Sequence, residues 1–419
     1  MYKEYEPLNL DNLPNRLSEI NEIADRVGAD PKTWIVNEVG DGNLNLVFII
    51  KGPVGTIIVK QALPYVRLVG DSWPLTLDRA FFEYNALLRQ DQRDPGIAPE
   101  VYYFDKEQGL IAMEYLAEHK ILRQKLIAGE KVRGLASTIG KHCAKLAFKG
   151  SDLHMLTQDK KNDVALFQKN NELMAITENL VFTDPYFEAE MNQNTKGLEG
   201  IIKLLRDDVE LKSKVQHMLK KFTSNAETMC HGDLHSGSIM CTSDKTRVID
   251  PEFAFCGPMG FDLGMLIANY LMAFFSQPAH RSSSSDTETY QEWILNIIEN
   301  TTKSFVDEFI LLWKTERKGI LYPESVFENQ GHSSLSAMND LLQEIWVDAV
   351  TVCGIEMHRR CLSLAHNADF EEINDLALKA KLEARNLIMG RELILKAHSL
   401  NGVEYILEMA RDFNRKELI

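Results

Sequence analysis

The chain has 419 residues, 45% of them apolar and 26% charged. That is enough apolar material for two or three packed domains and excludes a disordered or collagen-like chain. Its 46 basic and 61 acidic residues leave a net charge of −15, which opposes general binding to nucleic acid or anionic lipid but leaves room for a local small-polyanion site.

The cysteines (Cys143, Cys230, Cys241, Cys256, Cys353 and Cys361) contain no CxxC pair. Their scatter suggests neither a zinc knuckle nor a disulfide framework, and a reducing compartment is expected. Residues 1–10 are polar and charged, with no apolar signal-peptide core. The most apolar run, residues 263–275, is too short to cross a bilayer and contains Asn269, so it reads as a buried core helix of a cytoplasmic protein.

In chain order, residues 12–30 have the spacing of a short amphipathic helix. Three runs rich in Val and Ile follow, 34–39, 44–50 and 56–62. The turn signals Gly40-Asp41-Gly42-Asn43 and Lys51-Gly52-Pro53-Val54-Gly55 separate them, which predicts an antiparallel meander. A helix is expected over 77–90 with Thr76 as N-cap, then strands over 101–104 and 110–115. Beyond Glu118 the pattern turns helical, over 135–149, 199–222, 263–275, 290–314, 335–365 and 375–397. A strand pair, 238–241 and 246–249, interrupts it. Residues 276–289, with Ser282-Ser283-Ser284-Ser285, read as an exposed loop. Residues 1–115 are thus expected to form a small β-rich lobe with one inserted helix, and 116–419 a larger, mainly α-helical lobe. Such an α+β arrangement leaves a cleft where ligands commonly sit.

Several residues suggest chemistry. The glycines of the 40–45 turn allow close backbone approach to a bound group, though a hairpin turn needs glycine as well. Lys60 stands in an apolar strand, Ile57-Ile58-Val59-Lys60, and an ammonium buried there needs a counter-charge. Glu83 lies on or beside the apolar stripe Ala80, Tyr84, Leu87 and Leu88 of the expected helix, and a pairing with Lys60 would satisfy both. The strongest signal is His231-Gly232-Asp233-Leu234-His235-Ser236-Gly237-Ser238, read as following a helix. The strand pair after it ends directly before Asp250-Pro251-Glu252. Two loops tied by one hairpin would deliver three acidic groups, which suits phosphoryl transfer: one carboxylate on a hydroxyl, others on Mg²⁺. A rival reading makes His231, Asp233, His235, Asp250 and Glu252 ligands of a hydrolase metal site, but it leaves Lys60, Glu83 and the Gly-rich turn unexplained. Asp262 is expected to N-cap the helix that begins at Leu263.

The order of Gly-rich hairpin, strand lysine, helix glutamate, linker Met113-Glu114-Tyr115-Leu116, His-Gly-Asp and acidic loop resembles the protein-kinase-like small-molecule kinases. That superfamily includes the aminoglycoside phosphotransferases and choline kinases. Its catalytic loop ends in a magnesium-binding Asn, where this chain has Ser238, and its Asp-Phe-Gly is here Asp250-Pro251-Glu252. The strings GDGNLNLVF (40–48), VKQALPYVRLVGDSWPLTLDRA (59–80), LVFTDPYF (180–187), HGDLHSGSI (231–239), DPEFAFCGPMGFDLG (250–264) and HRRCLSLAHNAD (358–369) resemble the 5-methylthioribose kinases. The likeness runs over nearly the whole chain.

That resemblance implies a bilobal protein-kinase-like fold and a homodimer. It implies phosphorylation of the anomeric hydroxyl of 5-methylthioribose in methionine salvage, with ATP and Mg²⁺ as cofactors. Lys60, held by Glu83, and Asn43 would contact the nucleotide. Backbone groups of Glu114, Tyr115 and Leu116 would hold adenine. Asp233 would orient the sugar hydroxyl and accept its proton. Asp250 and Glu252, flanking Pro251, would bind magnesium, and Trp73, Arg359 and Arg360 would stand at the sugar. Without the resemblance, the two arginines read as solvated surface charges and Trp73 as a structural anchor. A kinase acting on choline, an aminoglycoside or homoserine, and a non-catalytic pseudokinase, remain alternatives.

Overall fold

The strands of the first part of the chain send successive side chains to opposite faces, and in the central strands both faces are largely covered. The computed structural model describes residues 5–40, 44–66 and 70–419, so Asn43 of the Gly-rich turn lies outside the described residues. The strands are β1 (Ile35–Glu38), β2 (Asn45–Lys51), β3 (Thr56–Ala62), the hairpin of β4 (Tyr65–Val66) and β5 (Gly70–Pro74), β6 (Val101–Asp105) and β7 (Leu110–Glu114). Five of them form one antiparallel sheet in the order β1-β2-β3-β7-β6. Ile57, Val59, Leu110 and Ala112 pack into an outer core with Leu13, Leu17, Ile23 and Val27. Ile58, Ala62, Ile111 and Met113 join the core of the helical lobe instead. Lys60, opposite Ile111 in the ladder, shares that inward face.

The N-terminal helix expected over 12–30 is two helices, α1 (Leu13–Leu17) and α2 (Asn21–Val27). Ile20 between them is extended, at φ −96° and ψ 111°. The inserted helix is α3 (Asp78–Arg93); Leu77, not Thr76, is its N-cap. Its buried face carries Arg79, Ala80, Phe82, Glu83, Ala86 and Leu87. Leu88 points to solvent, contrary to the expected stripe, and Tyr84 stacks on Phe104 at 4.4 Å between ring centroids.

The larger lobe begins with β8 (Lys120–Ile121), α4 (Leu122–Ala128), α5 (Leu135–Lys149), α6 (Thr157–Phe167) and α7 (Asn171–Leu180). The helix expected over 199–222 is broken into α8 (Glu199–Asp207) and α9 (Val209–Ser224). Asp208 breaks it, and its carboxylate caps α9 by accepting from the Leu211 amide. Short strands follow, β9 (Thr228–Cys230), β10 (Ile239–Cys241), β11 (Thr246–Val248) and β12 (Phe255–Gly257), then α10 (Phe261–His280) and α11 (Ser284–Thr315). The exposed loop expected over 276–289 is therefore mostly helix. Ser276 and Gln277 are buried in α10, with the Gln277 amide donating to the Ala273 carbonyl at 2.8 Å. Only residues 281–283 interrupt the helices, and the Ser283 hydroxyl caps α11. The lobe closes with α12 (Leu335–Leu362), α13 (Ala368–Glu371), α14 (Leu376–Lys396) and α15 (Val403–Asn414).

The outcome is the expected α+β, bilobal architecture, a small antiparallel sheet with one key helix beside a larger helical lobe. Among the described residues no helix is long and apolar enough to cross a membrane. All the cysteines are free and buried.

Helices α12 and α14 touch at glycines. A Cβ built on Gly354 would lie 2.4 Å from the Gly390 carbonyl oxygen and 2.7 Å from Ile394 Cγ1. Alanine normally gains about 1 kcal/mol over glycine inside a helix, whereas overpacking a core costs about 1–3 kcal/mol. Because the obstacle is backbone, the second effect wins. Gly354→Ala is expected to lower the free energy of urea unfolding; equal or higher stability would show that the two helices can separate freely.

Candidate active site

Strand β3 and helix α3 bring the first charged group together. Lys60 Nζ lies 2.8 Å from Glu83 Oε2 and 4.0 Å from Glu252 Oε2, and it donates to Asp250 Oδ1. Burial opposes the ammonium, yet Asp250, Glu252 and Glu83 together hold Lys60 above its ordinary value. Burial pushes the carboxyls of Glu83 and Glu252 up. Two residues not singled out by the sequence secure Glu252: Asn45 donates to its Oε2 at 2.8 Å, and Arg79 Nε lies 3.8 Å away. Asp250 holds φ at +66°, rare for a residue with a side chain and a typical mark of a functional turn. Oxygens of Glu83, Asp250 and Glu252 all lie within 4.8 Å of one another. Such a hard, all-oxygen donor set fits Mg²⁺.

The His-Gly-Asp segment follows strand β9, not a helix. It is clamped from both sides: β9 pairs with β12, and β10 pairs with β11. His231 Nε2 donates to the Ile249 carbonyl at 2.9 Å, tying this loop to the one that carries Asp250. Asp262 does not cap α10, where Gly260 is the N-cap; its carboxylate accepts the amides of His231 at 2.6 Å and Gly232 at 3.1 Å. Ser238 turns its hydroxyl inward, donating to the Asp233 carbonyl at 3.0 Å and accepting from the His235 amide at 2.9 Å. Its side chain is committed to the loop.

Asp233 presents both carboxylate oxygens to donors. Oδ1 accepts from Arg360 Nη2 at 3.0 Å, and Oδ2 lies 3.2 Å from His235 Nε2. Burial raises this carboxyl, but His235, Arg360 and Arg359 more than offset it and hold the group well below the ordinary carboxylate range. Arg359 and Arg360 are both buried, which excludes the reading of them as solvated surface charges. Glu356, one helical turn earlier, accepts from Arg360 Nε at 2.5 Å and lies 3.6 Å from Arg359 Nη1. The i, i+3 and i, i+4 spacing of Glu356 to the two arginines is the sequence signal that points to it. Among the described residues, Arg359 Nε and Nη1 have no hydrogen-bond partner although both atoms are buried.

A pocket opens beside Asp233 and Arg359. Ile176, Leu180, Val181, Phe253 and Met265 form its apolar wall. Trp73 belongs to β5, but its side chain lies outside what is described. At the lobe junction, the Glu114 amide donates to the Glu100 carbonyl at 2.8 Å, while its carboxylate takes Arg247 Nη2 at 2.8 and 2.9 Å. Tyr115 is half-buried and Leu116 buried; their carbonyls accept turn bonds from Ala117 and His119 at 3.0 and 3.1 Å.

Comparison with known proteins gives a consistent set of likenesses. The family model for the phosphotransferase enzyme family matches residues 35–293. The chain is 41% identical over 410 residues to methylthioribose kinase of Escherichia coli O45:K1, covering 97% of this chain and 98% of that one. It is 37% identical over 415 residues to methylthioribose kinase 1 of Oryza sativa subsp. japonica, covering 98% and 96%. Among solved structures it is similar to Plasmodium vivax ethanolamine kinase, with a TM-score of 0.46, 13% identity and coverage of 90% and 89%.

His358, next to the arginine pair, anchors α12. Nε2 donates to the Leu387 carbonyl at 2.9 Å, so Nδ1 accepts from the Tyr186 hydroxyl at 3.0 Å. Burial pushes the imidazole down to about 4. An unfolded histidine takes up its proton near pH 6.5, so between these values acid favours the unfolded chain by about 1.4 kcal/mol per pH unit. The stability margin of the wild type over His358→Gln should therefore shrink as pH falls from 6.5 towards 4, as read by urea unfolding. A margin independent of pH would mean that His358 protonates freely in the folded state.

Proposed function

The chain belongs to the methylthioribose kinases of the phosphotransferase enzyme family, and we propose that it transfers the γ-phosphoryl group of ATP to the anomeric hydroxyl of 5-methylthioribose. The product, 5-methylthioribose 1-phosphate, would enter methionine salvage. In this reading residues 1–115 bind the nucleotide and residues 116–419 carry the catalytic loop and the sugar site, in a cytoplasmic homodimer.

The observation that carries the reading is Arg359. Arg359 lines the pocket that also holds Asp233, and its buried Nε and Nη1 make no hydrogen bond among the described residues. Leaving buried donors unmatched costs about 1–3 kcal/mol, a cost that hydroxyl oxygens of a bound sugar would remove. A choline or aminoglycoside cation would instead meet the like charge of that guanidinium. The apolar wall of the pocket suits a methylthio group on an otherwise polar sugar.

Asp233 is the group for the hydroxyl. Each carboxylate oxygen already accepts one donor, and each keeps a further lone pair for the incoming O–H. A carboxylate held this acidic is a weak base. It orients the hydroxyl in the ground state and takes the proton once bonding to phosphorus has made that proton acidic. In this reading Lys60, steadied by Glu83, contacts the nucleotide phosphates, Asn43 also contacts the nucleotide, and backbone groups of Glu114 to Leu116 hold adenine. Asp250 and Glu252 would hold Mg²⁺, which when bound neutralises charge on the phosphates. Glu252 would compensate for the magnesium-binding asparagine whose place Ser238 takes.

The test is ADP release with MgATP against methylthioribose, choline, homoserine and an aminoglycoside. Turnover is expected with methylthioribose alone; turnover on choline with none on methylthioribose would overturn the reading. Arg359→Ala should lower kcat/KM for methylthioribose roughly 10- to 100-fold, as expected for lost hydrogen bonds to a charged group. Its Kd for ATP should stay within a few-fold. Wild-type kinetics in that variant would remove Arg359 from the sugar site.

A second measurement addresses the metal. Asp250→Asn and Glu252→Gln should each raise the Mg²⁺ concentration needed for half-maximal activity. An activation curve identical to wild type in both would place the metal elsewhere.

A further inference from the structure

The catalytic loop contains a second histidine for which the reaction described above has no use. His235 follows Asp233 by two positions, and its ring is partly buried against the loop. Nδ1 accepts the amides of Gly237 at 2.8 Å and Ser238 at 3.1 Å. A ring nitrogen that accepts two N–H groups carries no proton of its own. The neutral ring therefore bears its hydrogen on Nε2, and Nε2 lies 3.2 Å from Asp233 Oδ2. The chain closes on the ring so tightly that a Cβ on Gly237 would lie 2.6 Å from His235 Cε1 and 2.8 Å from Nδ1. Any other residue there would push the amides off the ring.

We infer that His235 is a positioning residue of the phosphoryl transfer: the loop amides lock it as a neutral Nε2–H donor that holds the Asp233 carboxylate for the substrate hydroxyl. The inference rests on the role of Asp233 proposed above. The two oxygens of Asp233 then have unlike partners. Oδ1 takes a permanently charged guanidinium from Arg360, and Oδ2 takes a neutral N–H. The weaker, uncharged bond leaves Oδ2 the more basic oxygen, so Oδ2 is the one that receives the proton. A cationic imidazole in the same place would drain both oxygens. Burial, with Arg123 and Arg360 nearby, pushes His235 down to about 4 against the opposing pull of Asp233.

Two substitutions separate the two functions of the ring. His235→Asn keeps an acceptor at the Nδ1 position for the loop amides and loses the donor to Asp233. His235→Gln keeps a donor at the Nε2 position and loses the acceptor. A positioning role predicts that kcat falls roughly 10- to 100-fold in His235→Asn, the range for a lost hydrogen bond to a charged group. KM for ATP should stay within a few-fold, and His235→Gln should keep several-fold more kcat than His235→Asn. The opposite order, with His235→Asn near wild type and His235→Gln impaired, overturns the inference and leaves the ring a loop cap.

Asp233→Asn run alongside separates the two levels. If it is inactive while His235→Asn is wild-type, only the inference fails. If it turns over normally, the role of Asp233 and the inference fail together. Should both His235 variants lose activity equally or fail to fold, the wild-type protein decides. In ¹⁵N-histidine spectra at pH 7 the His235 signal is expected from the neutral Nε2–H tautomer; a proton on Nδ1 overturns the inference.

Discussion

The ammonium of Lys60 sits between carboxylates from both sides of the molecule, Glu83 from helix α3 and Asp250 from the loop after β11. A charge removed from water is tolerable only when it is closely paired, and the pairing of buried Lys60 with the exposed Asp250 ties the sheet lobe to the helical lobe. Strand β3 must present its inward face in the right register, since a slip by one residue would put Val59 where Lys60 stands. The loop after β11 must reach the same point, and the hairpin of β10 and β11 with the β9–β12 pair holds it there. Glu252 adds a further carboxylate, secured by Asn45 and Arg79. The cluster carries three carboxylates against one lysine and one nearby arginine, an excess of negative charge suited to a divalent cation.

The second charged cluster is built on a single helix. Glu356, Arg359 and Arg360 all lie in the last turns of α12, and Asp233 approaches from the loop between β9 and β10. Arg360 has an acceptor for each of its nitrogens: Glu356 for Nε, the Ala365 carbonyl for Nη1 and Asp233 for Nη2. Arg359, about 100° away around the helix, has the Glu356 carboxylate only at 3.6 Å, and its buried Nε and Nη1 make no hydrogen bond among the described residues. Two adjacent residues of one type thus divide the work: one holds a protein carboxylate, and the other is left available. Position along the helix, rather than residue identity, makes the difference.

Much of this was readable in the residues, for specific reasons. Lys60 stands out because it interrupts an apolar strand, and Glu83 because it shares a helical face with Ala80 and Leu87. The sheet is legible because Val and Ile runs are bounded by glycine turns. Other features carry no local signal. Residues 276–280 look like loop because the serine run 282–285 follows them, whereas backbone carbonyls accept from Ser276 and Gln277 inside the helix. The break at Asp208 is hidden because residues on both sides keep helical spacing while one capping carboxylate ends one helix and starts the next. Arg79 and Asn45 matter through long-range contacts with Glu252, more than 170 positions away, which no local pattern reveals. Ser238, notable in sequence as a missing asparagine, proves to be a brace of its own loop.

The burial of every cysteine has a consequence beyond packing. Burial raises all of these thiols, those of Cys241 and Cys256 to about 11 and the others higher still. At neutral pH almost no thiolate exists in the closed protein, and the thiolate is the reactive form. Covalent labelling by a thiol reagent can then proceed only through local opening. Three of these groups, Cys230, Cys241 and Cys256, lie on the strands that bracket the catalytic loop, and Cys353 and Cys361 lie on the helix with the arginines. The native chain thus carries its own set of opening sensors, and their alkylation rates rank how often each wall of the active site comes apart.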